Sequence, residues 1–483
     1  MKTRRLLTLF LAILLTSTAS CGGSAASTDT TAADTAGGDT TAAEGGYDYA
    51  GKDFGGFEFR VLNYDERWNC NMSLDFESQT GETLNDAIYE RNRYVEEMLN
   101  FKLVEVFPSG TGDGVICDDL TTAVAAGDDV YDAAYQPISD RPPVVTDGYL
   151  HDLTEISTIK LEEEYWDNTL NDLMTIGGHL YTASSPMHLM TFDLSWVVLF
   201  NEDMFTDLKL EFPYQLVRDG KWTLDKMNEY VTATVRLNGD ESFTFNDAGS
   251  CVYGIAAHNG APLAFNFAAD NRLVVAEDDS FKVTFDTERT FDTMEKMIKL
   301  MRPSAGHANI NNTSGPGFYI DVFRARRAAF LTCEVKATLE ERDMEDSFGM
   351  IPFPKFDESQ KNYYTNTTYR ASWLTFPKTL KDPERAGVIV DALSYESFND
   401  ILPLYYDVTV SQKGLRNDDS IEMLDIIRAS RGIEFSVCFG PCKNFYNQLS
   451  SIVKSENNTL ASYAASEKTA VEQSIKDLVE AVG

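Results

Sequence analysis

The amino-acid sequence predicts an α/β protein with more than one core, and three observations carry that reading. From Phe57 onward, segments with strand character alternate with segments of helical periodicity. The alternation restarts in the middle of the chain, at an apolar run, WVVLFN, that reads as a buried strand. Roughly 430 residues follow a low-complexity N-terminal stretch, enough for two or three domain-sized cores, and a hydrophobic content of 43% with 12% aromatics suits packed interiors.

In FEFRVLNY, Phe57, Phe59 and Val61 alternate with Glu58 and Arg60, the period-two pattern of a half-buried strand. TGETLNDAIYERNRYVEEMLN places Leu84, Ala87, Ile88, Val95, Met98 and Leu99 at helical spacing. FKLVEV then reads as a strand, LTTAVAAG as a short helix and YDAAY as a third strand, the order of a parallel sheet covered by helices. The middle region restarts with GGHLYTASS and WVVLFN. WTLDKMNEYV opens a helix with Thr223 as cap and Asp225 near its positive end. DVFRARRAAFLTCE reads as helix into strand, and SFGMIPFPKFDESQ as a proline-punctuated connection. In KDPERAGVIVDALSYES, Asp382 caps a helix that starts on Pro383. SIEMLDIIRAS and the tail from Leu449 to Val482 are also helical in pattern.

The N-terminus has a different logic. Lys2, Arg4 and Arg5 precede ten apolar or uncharged residues, Leu6 to Leu15, and then small residues up to Ser20, the layout of a secretory signal peptide. The apolar run is about half of the ~20 residues a membrane-spanning helix needs. Ala19 and Ser20 before Cys21 resemble a bacterial lipobox, which implies cleavage before Cys21 and attachment of lipid to its thiol; two or more acyl chains anchor a protein stably. Gly22 to Gly46 hold only Gly, Ala, Ser, Thr, Asp and one Glu, a composition that cannot bury apolar surface and reads as a disordered tether.

The formal net charge of −35 makes nucleic acid and acidic lipid surfaces poor partners. Cys70, Cys117, Cys251, Cys333, Cys438 and Cys442 lack the paired spacings of a zinc site, and CFGPC is compatible with either a small disulfide or two free thiols. Gly-x-Ser-x-Gly, His-Glu-x-x-His and Walker patterns are absent, the five histidines show no metal spacing, and GTGDG at 110–114 has acidic neighbours unsuited to phosphate. No cofactor or metal is expected.

Four stretches together resemble the extracellular solute-binding proteins of ABC sugar importers, the broad group that contains maltose-binding protein. They are YDAAYQPISDRPPVVTDGYLHDLTEI, GGHLYTASSPMHLMTFDLSWVVLFNEDMF, GKWTLDKMNEYV, and the block from FGMIPFPKFDESQKNYY through FPKTLKDPERAGVIVDAL. The resemblance implies a two-lobed periplasmic-binding-protein-like α/β fold with hinge-linked lobes and a ligand cleft between them. Residues 1–20 would be signal peptide, 21–54 lipidated Cys21 and tether, 55–188 with 353–402 lobe one, and 189–352 with 403–483 lobe two. The chain would cross near Ser184 to Ser195, return near Ile351 to Lys355 and cross again near Leu402 to Tyr406. The resemblance further implies a monomeric, non-enzymatic protein on the outer face of the bacterial cytoplasmic membrane, with a carbohydrate ligand and ABC permease subunits as partners. The alternatives from other classes are a lipid-anchored glycoside hydrolase and a surface sensor or adhesin on the same fold.

Sugars present hydroxyl edges to polar side chains and CH faces to aromatic rings, and sites in open α/β sheets lie beyond the carboxyl ends of strands. These rules select Trp68, Asp75, Glu77, Gln136 and Asp140 in lobe one, and Ser185, Asp193, Trp196, His258, Glu334, Arg370 and Trp373 near the crossings. Trp196 begins an apolar run and Trp373 precedes Leu374 and Phe376, so each suits a core role as well as stacking. Arg370 suits an ion pair with one of the many acids, and His258 a turn.

Overall fold

A computed structural model describes residues 46–482 apart from 244–248, 278–279, 312–317, 342–343, 409–414 and 416–417. The expected signal peptide, Cys21 and the tether as far as Gly45 lie outside the described residues. The packed body begins at Tyr47, ahead of the expected boundary at residue 54, because two tyrosines bring apolar surface to bury. The Tyr47 and Tyr49 rings lie 4.9 Å apart, and the Tyr49 hydroxyl donates to Glu396 at 2.8 Å.

β1 (Phe57–Leu62) runs through the helix Thr83–Leu99 to β2 (Phe101–Val106), and the helix Val115–Ala126 leads to β3 (Ala133–Gln136). β1 pairs in parallel with both neighbours, Phe57 opposite Phe101 and Val61 opposite Ala133. The expected strand and helix alternation is thus present, with the second helix longer than LTTAVAAG alone suggests. Its start at Val115 follows Gly114, whose φ of +82° suits glycine.

The second half continues with β4 (Trp196–Asn201), β5 (Tyr253–Ala257), a hairpin of β6 (Val274–Glu277) and β7 (Ser280–Val283), β8 (Ala308–Ile310), β9 (Ala328–Glu334) and β10 (Phe348–Ile351). A second sheet has the order β10-β4-β9-β5-β8. β5 is parallel to β8 and β9, whereas β4 is antiparallel to β9 and β10. WVVLFN is continuously apolar because both faces of β4 are covered: Val198 and Phe200 join one core with Trp222, Phe265 and Phe330, while Val197 and Leu199 join another with Leu331 and Met350. The proline-punctuated connection contains a strand, β10, that the two prolines conceal. Gly349 permits it, since a Cβ there would meet the Tyr214 hydroxyl at 1.9 Å and the Phe200 ring at 2.5 Å.

Local chemistry sets the helix boundaries. Thr223 accepts from the Lys226 N–H at 3.2 Å and Asp382 from the Arg385 N–H at 3.0 Å, ahead of the helices Leu224–Thr234 and Pro383–Glu396; each such cap is worth about 1 kcal/mol. The C-terminal tail is two helices, Phe445–Ser455 and Leu460–Val482, separated at Glu456, where φ is +55°. Among the described residues Cys70, Cys117, Cys438 and Cys442 are free thiols, so CFGPC carries two thiols and not a disulfide.

The return from the second sheet differs from the expected position near Ile351 to Lys355. Phe353 packs in the second core, Lys355 bridges Thr223, and the Trp222 indole N–H donates to the Pro352 carbonyl at 3.0 Å. The chain returns later, through β11 (Thr365–Asn366) and a bridge from Thr367 to Ser195, to β12 (Trp373–Thr375), which completes the first sheet antiparallel to β3. β11 is itself parallel to β13 (Arg431–Gly432). The first sheet, in the order β12-β3-β1-β2, packs around Phe59, Tyr135, Trp166 and Ile389.

Candidate functional site

A cleft of about 640 Å³ lies where the two sheets and the connecting strands meet, a size suited to a small ligand. Trp68 and Asn69 reach it from the loop after β1; His258 and Glu334 come from the carboxyl ends of β5 and β9. Trp196 sits beside Glu334 because β4 runs antiparallel to β9 and places these two residues opposite one another. Asn366, Thr368, Tyr369 and Arg370 come from the return segment, and Lys443, Tyr446 and Asn447 from the start of the helix Phe445–Ser455.

Trp68 is 39% exposed and stands over Arg67, whose guanidinium lies 4.0 Å from its ring centroid. Trp68 and Asn69 both have φ of +55°, a left-handed conformation that asparagine adopts readily but that costs a residue such as Trp68 about 1–2 kcal/mol. Arg67 holds the loop from beneath: it donates to Asp113 at 2.9 Å and to Asp140 at 3.3 Å, and Arg370 pairs with Asp113. Across the cleft, the Lys336 ammonium donates to the Trp68 carbonyl, a bond between the segment after β9 and the loop after β1.

Trp196 is only 4% exposed and packs edge-on against Phe353, with His258 6.0 Å away. The Gly260 N–H donates to His258 Nδ1 at 3.0 Å, so in the neutral ring the proton sits on Nε2. Burial lowers the His258 pKa, opposed by the charge of Glu334. Gly260 must be glycine-small here, since a Cβ would meet the Trp196 ring at 2.9 Å and Tyr446 at 3.1 Å. The Tyr446 ring stands edge-on to Tyr369 at 5.2 Å. Thr368 donates to Glu334 at 3.4 Å. The cleft therefore offers flat aromatic surfaces beside amide, hydroxyl, carboxylate and cationic groups.

Of the residues selected from sequence, Trp68, Trp196, His258, Glu334 and Arg370 converge on this cleft. The others do not line it. Gln136 is the last residue of β3, not the first beyond it; it is fully buried, pairs with Trp373 across the sheet and donates to Thr375 at 2.9 Å. Trp373 is likewise fully buried in the first core. Asp140 supports the site from behind, accepting from Arg67 and from the Gly114 N–H at 3.0 Å. Asp75 ties its loop to the helix Thr83–Leu99 through Asn92 and Arg93, both at 2.9 Å, and Glu77 is exposed on the surface. Ser185 is buried, accepting from the Ser394 hydroxyl at 2.8 Å. Asp193 is fully buried under the crossing, where it accepts from Asn71 and from Tyr405 at 2.8 Å; burial raises its pKa against those hydrogen bonds. Sequence reasoning missed Lys336, Tyr369, Lys443 and Tyr446. Lys336 and Tyr369 adjoin selected positions, but Lys443 and Tyr446 come from a helix whose approach to the cleft no local pattern announces.

No protein-family model matches the chain, and no curated protein sequence matches it. Several solved structures are similar. An ABC substrate-binding protein from Listeria monocytogenes, in complex with cycloalternan, is 14% identical, with a TM-score of 0.55 over 87% of this chain and 99% of that one. The galacto-N-biose/lacto-N-biose I-binding protein of a Bifidobacterium longum ABC transporter, in complex with lacto-N-biose, is 12% identical, with a TM-score of 0.56 over 88% and 98%. UgpB from Mycobacterium tuberculosis, in complex with glycerophosphocholine, is 13% identical, with a TM-score of 0.55 over 83% and 98%. At these identities the likeness is one of architecture, and the chain has the two-lobed α/β fold of periplasmic-type solute-binding proteins.

Proposed function

We propose that this protein captures a carbohydrate by closing its lobes and delivers it to the permease of an ABC transporter, held by a lipid on Cys21 to the outer face of the bacterial cytoplasmic membrane. The observation that carries the reading is the two-sided cleft: Trp68 and Asn69 stand on one wall, Trp196, His258 and Glu334 on the other, and the return segment from Asn366 to Arg370 runs between them. Rings stack on sugar CH faces while the polar groups take the hydroxyls. A ligand that completes its contacts only when both walls are near shifts the population toward the closed form. The sugars bound by the Listeria and Bifidobacterium proteins support the same ligand class here.

Binding without turnover fits the chemistry of the cleft better than hydrolysis. A glycosidase sets two carboxyl groups about 5 to 9.5 Å apart across the scissile bond, whereas among the described residues lining this cleft Glu334 is the one carboxylate. The experiment is incubation of the purified protein with a sugar that raises its melting temperature. Recovery of that sugar intact is expected; sustained release of shorter sugars, lost in Glu334→Gln, would establish a hydrolase instead.

A further inference from the structure

The charge of the cleft departs from that of the molecule around it. The chain carries 76 acidic and 41 basic residues, yet the cleft is lined by Lys336, Arg370 and Lys443 against Glu334. Arg370 is balanced by Asp113, and Arg67 behind it by Asp113 and Asp140. The two lysines are not balanced in this way. Lys336 reaches the Trp68 carbonyl and Lys443 the Ser139 carbonyl at 3.4 Å, and among the described residues no carboxylate stands within ion-pair distance of either ammonium. Asp193 lies near Lys336, but its carboxylate is taken up by Asn71 and Tyr405. Lys443 is exposed and Lys336 half-buried, so the donors not used by these carbonyls are left to water that a ligand can displace.

The helix Phe445–Ser455 adds to the same field. Its first turn supplies Tyr446 and Asn447 to the cleft, and the Asn444 side chain makes no capping bond to it. The Phe445 N–H is taken by the Cys442 carbonyl at 2.9 Å, and this end of the helix is the positive one. Lys443 stands at this end, and Lys336 leaves the end of β9.

We propose that the carbohydrate taken by this cleft is an acidic one, a sugar carrying a carboxylate or a phosphate whose oxygens are held by Lys336 and Lys443. The proposal rests on the carbohydrate reading above and narrows it. Both lysines reach from the second lobe or the C-terminal helices to carbonyls of the first lobe, so an anion between them would replace weak carbonyl contacts with charge-assisted bonds and draw the lobes together. A neutral sugar of the same shape would leave both ammonium groups with their present partners.

The test is isothermal titration of the full-length chain with digalacturonic acid, with its neutral counterpart galactobiose, and with glucose 6-phosphate, at low and at moderate salt. At least one acidic probe is expected to bind tenfold or more tightly than galactobiose and to weaken with salt. Lys336→Met and Lys443→Met should each cost that probe about tenfold or more, at unchanged melting temperature and with a clearly smaller loss for galactobiose. Preference for digalacturonate over glucose 6-phosphate identifies a carboxylate, and the reverse a phosphate. Galactobiose binding as tightly as both acidic probes, or acidic binding indifferent to both lysine changes, overturns the acidic ligand while leaving carbohydrate capture standing. Absence of binding by these probes and by a wider panel of sugars overturns both.

Discussion

Trp68→Ala tests the two-walled cleft most directly, because this ring contributes to the site while contributing little to the core. Trp68 is 39% exposed in the free protein. A tryptophan presents up to about 250 Å², so a ligand that stacks on it covers up to about 100 Å². At about 25 cal/mol per Å² this is worth up to about 2.5 kcal/mol, and about 1 kcal/mol if less than half is covered. The expected loss of affinity on truncation is therefore about fivefold to 70-fold. Arg67 remains in place through Asp113 and Asp140, so the melting temperature of the unliganded variant should stay close to that of the parent. The assay is calorimetric titration with a sugar chosen by thermal shift, with Trp68→Phe as the variant that keeps a stacking face. A folded Trp68→Ala protein that binds within twofold of the parent would refute the stacking role and, with it, the assignment of the first wall.

Three other outcomes follow from the structure. His188 is 3% exposed and stacked on Tyr135 at 4.4 Å, and burial lowers its pKa to about 3. Because that value lies below the unfolded one of about 6.5, stability is full above pH 6.5 and is lost as pH falls, by about 2 kcal/mol at pH 5; the drop in melting temperature between pH 7 and pH 5 should be smaller in His188→Phe, and an equal drop would show that His188 does not carry it. Arg431 and Asp167 form a buried pair with side chains 8% and 7% exposed, joining β13 to the start of the helix Asn168–Met174. Asp167→Asn strands the guanidinium at a cost of about 3–5 kcal/mol, about 3 to 6 °C for a body of roughly 430 residues, so an unchanged melting temperature would mean that the pair is dispensable. Cys21→Ser should release the protein from membranes or leave the precursor uncut, and a mature-sized variant that still fractionates with membranes would exclude lipidation at Cys21.

The strand and helix alternation was legible from the sequence because it rests on short-range rules: period-two patterning made β1 visible, continuous apolar character made β4 visible, and caps at Thr223 and Asp382 marked helix starts. β10 was hidden because Pro352 and Pro354 just beyond it carry a strong local signal for irregular chain, while the pairing of Met350 with Leu199 that makes it a strand lies 151 positions away in sequence. The site shows the same division. Carboxyl ends of strands pointed to Glu334 and His258, and aromatic chemistry to Trp68 and Trp196. Whether a polar or aromatic residue faces the cleft or the core, however, depends on which strand it meets: Gln136 and Trp373 are removed from the cleft by pairing with one another, and Asp193 by Asn71 and Tyr405. The sequence alone therefore determined the α/β class, the positions of most elements and the chemical types available for a ligand, since each is a property of residues within a few positions of one another. Only the tertiary structure decided where the chain returns between lobes and that Lys336, Lys443 and Tyr446 share one cleft with Trp68, because convergence of residues from distant segments is set by packing and pairing across the whole fold.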